Sequence, residues 1–269
     1  MPDTLENYLS RHTAGGVALA FSGGADSTLL LHALLRVQRK TPFPLVAYYF
    51  HTPLHTEEET QNAIRTAQDA GAELVEMRFD PLQLPALRFN PTDRCYHCKA
   101  HLFTQMKEDA LARGLHTTMD GTNADDHKQY RPGLKALREL GVLSPLAAAG
   151  LTKAQVRAMA AEWGLACSAK PSTPCLATRF DYGAELTTEA VRRVEAGEAL
   201  LHRLYPGQAV RLRVHDHLAR LELPRALMPR AIEHAPELVR ELRALGFRHI
   251  TLDLQGFRSG SMDELLNLK

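Results

Sequence analysis

Between residue 17 and about residue 150, short β-prone apolar runs alternate with longer amphipathic stretches. The segments 17–21, 45–49, 74–79 and 117–119 read as strands, and 28–39, 57–70 and 98–113 carry apolar residues at helical spacing. This alternation predicts an α/β architecture, a parallel sheet flanked by helices, which binds ligands beyond the C-terminal ends of its strands. Thr152 and Gln155 match a capping box that opens another helix, running to about Glu162. After Gly183 the texture changes. A helix over 188–204, short strands around 210–214 and 219–223, a helical stretch through Leu245 and a strand at 249–254 predict a smaller C-terminal α+β domain. The expected division is therefore 1–183 and 184–269.

The 269 residues, 45% of them hydrophobic, suffice for one large domain with a smaller attachment. Thirty-two basic residues against thirty-one acidic ones leave a net charge of +1, so no global field favours nucleic acid or an anionic membrane. Any anion must be bound locally, and no nucleic-acid partner is expected. Residues 1–8 lack the basic start and apolar stretch of a secretory signal, and no apolar run approaches membrane-spanning length. A cytoplasmic location and no membrane partner are expected, along with a homo-oligomer. Four cysteines in such a chain stay reduced, so their spacing is read as metal or catalytic chemistry.

The first strand passes directly into Ser22-Gly23-Gly24-Ala25-Asp26-Ser27 and then into an apolar helix. The glycines let the backbone approach a pyrophosphate, while unpaired N–H groups and the helix dipole supply positive potential. Ser22 and Ser27 add hydroxyl donors. A bare carboxylate repels phosphate, so Asp26 is read as a magnesium-side or water-mediated ligand. No Lys-Ser or Lys-Thr follows, which excludes a Walker A loop. The bland alternative is a tight strand-to-helix turn, but the serines and aspartate beside the glycines weigh against it. Met119-Asp120-Gly121-Thr122-Asn123-Ala124-Asp125-Asp126 ends a later strand and places Gly121, Asn123 and Asp125 at the same edge. A capped turn into a short helix explains that segment equally well.

Arg94-Cys95-Tyr96-His97-Cys98-Lys99 contains a CxxC, and Cys175 lies in Lys170-Pro171-Ser172-Thr173-Pro174-Cys175-Leu176-Ala177-Thr178-Arg179. A CxxC holds two thiolates within reach of one metal centre, and a third from a distant loop can close on it. A redox pair, or zinc completed by His97 or His101, is the alternative. Cys167 sits in an apolar context and reads as a small buried hydrophobe. Arg211 and Arg213 share one face of a strand, and Arg258 stands among glycines and serines. Three convergent arginines suit a phosphate, whereas a solvated strand with paired charges is the plain reading. Glu195 and Glu198 fit either proton transfer or a solvated helix face.

The glycine loop resembles the PP-loop of the ATP pyrophosphatases, and the motifs together resemble the LarE family. The resemblance covers nearly the whole chain: 22–27, Asn90-Pro91-Thr92-Asp93-Arg94-Cys95-Tyr96-His97-Cys98-Lys99, 120–126, Arg131-Pro132-Gly133, 170–179, 211–213 and Thr251-Leu252-Asp253-Leu254-Gln255-Gly256-Phe257-Arg258-Ser259-Gly260-Ser261-Met262. It implies an ATP-dependent sulfur transferase that forms AMP and pyrophosphate, adenylating a carboxylate of pyridinium-3,5-biscarboxylic acid mononucleotide and replacing AMP by sulfur. It implies ATP and Mg2+ at Ser22, Gly23, Gly24, Asp26, Ser27, Gly121, Asn123 and Asp125. Catalytic roles fall to Cys175, Asp26 and Arg179, and the substrate phosphate to Arg211, Arg213 and Arg258. In single-cysteine members the cysteine at the position of Cys175 gives up its own sulfur. This chain, with Cys95 and Cys98 as well, is similar to the three-cysteine branch, which implies a [4Fe-4S] cluster on Cys95, Cys98 and Cys175 and sulfide or another sulfur source as co-substrate. An iron-sulfur tRNA thiolase and an adenine-nucleotide sensor with structural zinc are the competing functions. The near-neutral charge counts against the first.

Overall fold

The computed structural model describes residues 1–128, 131–169, 173–258 and 260–262, so Lys170, Pro171 and Ser172 of the cysteine loop and Ser259 of the C-terminal motif lie outside the described residues. The chain forms two compact units, one of residues 1–81 and 92–173, the other of residues 82–91 and 174–269.

The first unit runs α1 (Asp3–His12), β1 (Val17–Ala20), α2 (Ala25–Lys40), β2 (Leu45–His51), α3 (Glu57–Asp69), β3 (Glu73–Arg78), α4 (Arg94–Ala112), β4 (Thr117–Met119), α5 (Gly133–Glu139), α6 (Pro145–Ala148) and α7 (Lys153–Glu162). Its four strands lie in the order β3-β2-β1-β4 and pair in parallel throughout. The predicted α/β fold is the one found. Leu19, Leu30, Leu34, Ala47, Ala63 and Val156 close one face of the sheet under α2, α3 and α7. Tyr48, Leu102, Phe103, Met106 and Leu137 close the other under α4 and α5. Helix α7 starts on the expected capping box, with Thr152 Oγ1 accepting the Gln155 N–H and Gln155 Oε1 accepting the Thr152 N–H. Two helices begin earlier than periodicity suggests. Ala25, Asp26 and Ser27 form the first turn of α2, and α4 opens at Arg94, so both cysteines of the CxxC are helical.

The second unit holds α8 (Thr188–Leu204), β5 (Arg211–His215), β6 (Leu218–Glu222), α9 (Met228–Glu233), α10 (Ala235–Ala244) and β7 (His249–Leu252). Strand β6 is central, antiparallel to β5 and parallel to β7. Gly197 lets α8 settle on β5: a Cβ at that position would lie 2.5 Å from Leu212 Cδ1. With Leu212, Val214, Ala219 and Leu221 buried, the other face of β5 and β6 carries Arg211, Arg213, His215, Arg220 and Glu222. No helix among the described residues is long and apolar enough to cross a membrane.

Candidate functional site

The strand order places a reversal between β1 and β4, where an open α/β sheet leaves a crevice at its C-terminal edge. The loops leaving these two strands meet there. Ser22 N donates to Ser27 Oγ at 3.2 Å, the two serine hydroxyls are 3.1 Å apart, and Ser27 Oγ donates to the Gly24 carbonyl at 3.2 Å. Gly23 has φ +69°, and a Cβ there would stand 2.7 Å from Ala63 Cα. From the other side, a Cβ on Gly121 would stand 2.9 Å from Ser27 N. Close backbone approach therefore requires glycine at both positions. Gly24, at the N-cap of α2, offers no capping side chain, which leaves first-turn N–H groups for an anion.

Asn123 Nδ2 donates to Asp26 Oδ1 at 3.2 Å, joining the β4 turn to the first turn of α2. Burial pushes the Asp26 carboxyl above its ordinary value, and Lys153 and the Asn123 bond partly offset this. A cation beside Asp26 would relieve that penalty, which fits a magnesium-side role. The Asp125 carboxylate accepts the backbone N–H of Lys153 at 2.9 Å and so holds the start of α7. Asp120 gathers the hydroxyls of Thr122 and Ser144 at 2.5 and 2.6 Å, with Lys99 Nζ 3.9 Å away.

Cys95 and Cys98 lie one turn apart at the start of α4, Cys95 exposed and Cys98 half-buried, neither of them in a disulfide. The Arg131-Pro132-Gly133 motif backs this turn, where a Cβ on Gly133 would come within 3.3 Å of the Cys95 carbonyl oxygen. The two histidines considered for zinc are engaged elsewhere: His97 Nε2 is 3.2 Å from an Asp93 carboxylate oxygen and His101 stacks on Phe79 at 4.7 Å. Cys167 is buried in the turn after α7. Cys175, also outside any disulfide, belongs to the second unit. Among the described residues no three His, Cys, Asp or Glu side chains gather around one point as a metal site.

In the second unit Cys175 precedes a 3-10 turn, Leu176–Arg179. Arg179 is directed inward. Its side chain is fully buried, Nε and Nη2 donate to the two Glu198 carboxylate oxygens at 2.9 and 2.8 Å, and Nη1 donates to the Pro174 carbonyl at 2.7 Å and Thr178 Oγ1 at 2.8 Å. A guanidinium so committed fixes the cysteine turn and does not present itself to a ligand. Glu198 also accepts the Leu212 N–H at 3.0 Å, so it is neither solvated nor available on an open helix face.

Arg213 and Arg258 line a cavity of about 460 Å³ with Arg220, His215, Ser261 and Asp253. Arg213 pairs with the buried Glu222 at 2.8 Å, donates to the Thr178 carbonyl at 2.5 Å and reaches Ser261 Oγ at 2.6 Å. Asp181 Oδ2 and His215 Nδ1 are 2.6 Å apart, while His215 Nε2 is buried without a hydrogen-bond partner. The acids Asp181, Glu222 and Asp253 offset the three arginines in formal charge. Attraction for a phosphate here would have to come from short-range N–H donation. Arg211 does not line the cavity. It lies over the Phe257 ring at 5.3 Å, and burial, then repulsion from Arg179 and Arg213, lowers its pKa to about 10. Periodicity named Arg213 but missed its cross-strand neighbour Arg220. The signal was the two-residue turn Asp216-His217, whose register sets Arg220 opposite Arg213.

Residues 2–81 match the PP-loop domain family, and the loop after β1 lacks the lysine of a γ-phosphoryl site, so fold and site define an ATP-using enzyme of the PP-loop class. The likeness to individual proteins runs much further along the chain. A pyridinium-3,5-bisthiocarboxylic acid mononucleotide synthase of Lactiplantibacillus plantarum is 37% identical over 251 residues, 93% of this chain and 90% of that protein. An uncharacterized protein of Synechocystis sp. is 37% identical over 250 residues, 92% of each chain, and one of Methanocaldococcus jannaschii is 30% identical over 243 residues, 90% and 91% of the two chains. The chain belongs to the LarE family.

Proposed function

We propose that this protein adenylates a carboxylate of pyridinium-3,5-biscarboxylic acid mononucleotide and replaces the AMP by sulfur. The observation that carries the reading is the 37% identity, over 93% of the chain, with a synthase whose product bears two thiocarboxylates. Exchanging a carboxylate oxygen for sulfur needs that oxygen made into a leaving group, and a PP-loop site supplies the means. The carboxylate attacks the α-phosphorus and pyrophosphate departs. A sulfur nucleophile then adds to the acyl carbon and AMP departs. The first turn of α2 and the glycine loop take the pyrophosphate oxygens, and Asp26, held by Asn123, would be the residue to hold a magnesium ion, which would supply charge neutralisation for the departing pyrophosphate.

Cys175 is the sulfur-bearing residue in this reading. Arg179 and Glu198 hold its turn, and Arg213, Arg220 and Arg258 bind the substrate phosphate. If Cys175 gives its own sulfur, the acyl–Sγ intermediate releases thiocarboxylate when the Cα proton is lost and Cβ–Sγ breaks, leaving dehydroalanine. Cys95, Cys98 and Cys175 suit a [4Fe-4S] cluster by donor chemistry, being cysteines outside disulfides and outside the buried core. With three thiolates on four irons, such a cluster would supply a labile sulfide and spare the cysteine. Incubation with ATP and the biscarboxylate tests the reading: AMP and pyrophosphate with a thiocarboxylate product are expected, whereas ADP and orthophosphate would overturn it.

A further inference from the structure

Residues 82–91 form an arm of the second unit, although 81 and 92 belong to the first. Leu186 N donates to the Arg88 carbonyl at 2.8 Å, Arg88 pairs with Glu185 at 2.8 Å, and Gly183 N reaches the Asn90 carbonyl at 3.4 Å. Asn90 closes the arm. It is fully buried, holds φ at +42°, and its side-chain amide donates to the carbonyls of Ala177, Phe180 and Asp181 at 3.2, 3.1 and 3.0 Å. Two N–H bonds thus serve three acceptors. Its Oδ1 is buried without a hydrogen-bond partner.

A left-handed backbone and an idle buried oxygen both cost stability, and neither is needed to fill space. What the residue gains is a hold on three carbonyls of the stretch after Cys175, those of Ala177, Phe180 and Asp181. The same stretch carries Arg179, which ties Pro174 to Glu198, and ends in Asp181, which holds His215 at the wall of the arginine cavity. One amide therefore holds the segment that begins at Cys175 and ends at Asp181, the partner of His215 in the cavity wall.

We infer that Asn90 is a positioning residue that sets Cys175 and the Asp181–His215 pair in register during sulfur transfer, an inference that rests on Cys175 carrying the sulfur. Asn90→Gly keeps the left-handed backbone and removes the donors, while Asn90→Asp keeps the size and replaces the NH2 by oxygen. The measurement is iodoacetamide modification of the intact protein, read peptide by peptide by mass spectrometry, alongside steady-state sulfur transfer. Losing two to three buried hydrogen bonds should raise the Cys175 modification rate roughly tenfold and lower kcat about as much, with Cys95, Cys98 and the KM for ATP within about twofold. Rescue of neither quantity by Asp is expected. If Asn90→Asp does not fold, Asn90→Gly decides alone. An unchanged Cys175 rate in Asn90→Gly, or a parallel rise at buried Cys167 that marks general loosening, would overturn the inference. Sulfur transfer that survives Cys175→Ser would sink the functional reading, and the modification rates would still test the positioning.

Discussion

Replacing Glu198 by Gln tests whether this carboxylate is a structural counterion or a proton carrier. Arg179 has no exposed side-chain surface, and both of its bonds to Glu198 are under 3 Å. Removing one partner of such a pair leaves a buried charge uncompensated, at a cost of about 3–5 kcal/mol. Glutamine keeps one oxygen for Arg179 or for the Leu212 N–H, which places the loss near about 3 kcal/mol. At roughly 2–4 °C per kcal/mol for a chain of this order, Tm should fall by roughly 6–12 °C. Thermal unfolding followed by circular dichroism gives the number directly, with AMP release measured on the same preparation. The double variant Arg179→Met, Glu198→Leu should regain most of the stability, because buried pairs are often replaceable by apolar residues. It should not regain sulfur transfer, because the Pro174 carbonyl then has no guanidinium to hold it. A Glu198→Gln protein that melts within about 2 °C of the parent yet has lost turnover would refute the counterion argument and return Glu198 to proton transfer.

The Asp26 carboxyl has a folded-state pKa above its unfolded value, so its contribution to stability is full below the unfolded pKa and lost as pH rises through the folded one. Asp26→Asn should therefore raise Tm at neutral pH, by a margin that shrinks toward acid, while abolishing AMP formation. An unaltered Tm profile would show that the carboxylate is not desolvated. Gly121→Ala should weaken ATP binding by at least about tenfold, since its methyl would stand 2.9 Å from Ser27 N and must push the loop aside. Calorimetry with ATP reads this. Arg220→Ala should weaken pyridinium-nucleotide binding by about 1.5–3 kcal/mol with ATP affinity intact, and equal substrate affinity would leave Arg220 as a partner of Glu222 and Asp253 alone. Iron and sulfide analysis after anaerobic reconstitution should show loss of the cluster on replacing Cys95, Cys98 or Cys175 by Ala and retention on replacing Cys167.

Much of this architecture is visible in local pattern. The β4 strand and helix α8 coincide with the segments that periodicity picks out, because their apolar spacing and Thr-rich start act within a few residues. The glycine loop was readable for the same reason. The start of α4 was not: Arg94, Cys95 and Tyr96 offer no apolar stripe, and the helix is fixed there by Gly133 packing from α5. Arg179 looked like a ligand residue because sequence shows charge but not direction. Its inward turn depends on Glu198, 19 residues away on α8. Nothing local marks 82–91 as part of the second unit, since every bond that places it there comes from residues far along the chain.

The arm also sets an order of events during synthesis. Asn90 leaves the ribosome 87 to 91 residues ahead of the carbonyls it will bind. At about 5–20 residues per second the arm waits roughly 4–18 s with its donors and Leu87 exposed to solvent. Through that interval it is a long loop between β3 and α4, open to proteases and to any holdase that recognises an apolar nascent segment. Only the emergence of 177–186 removes it from their reach, so protease resistance within 82–91 marks the moment at which the second unit closes.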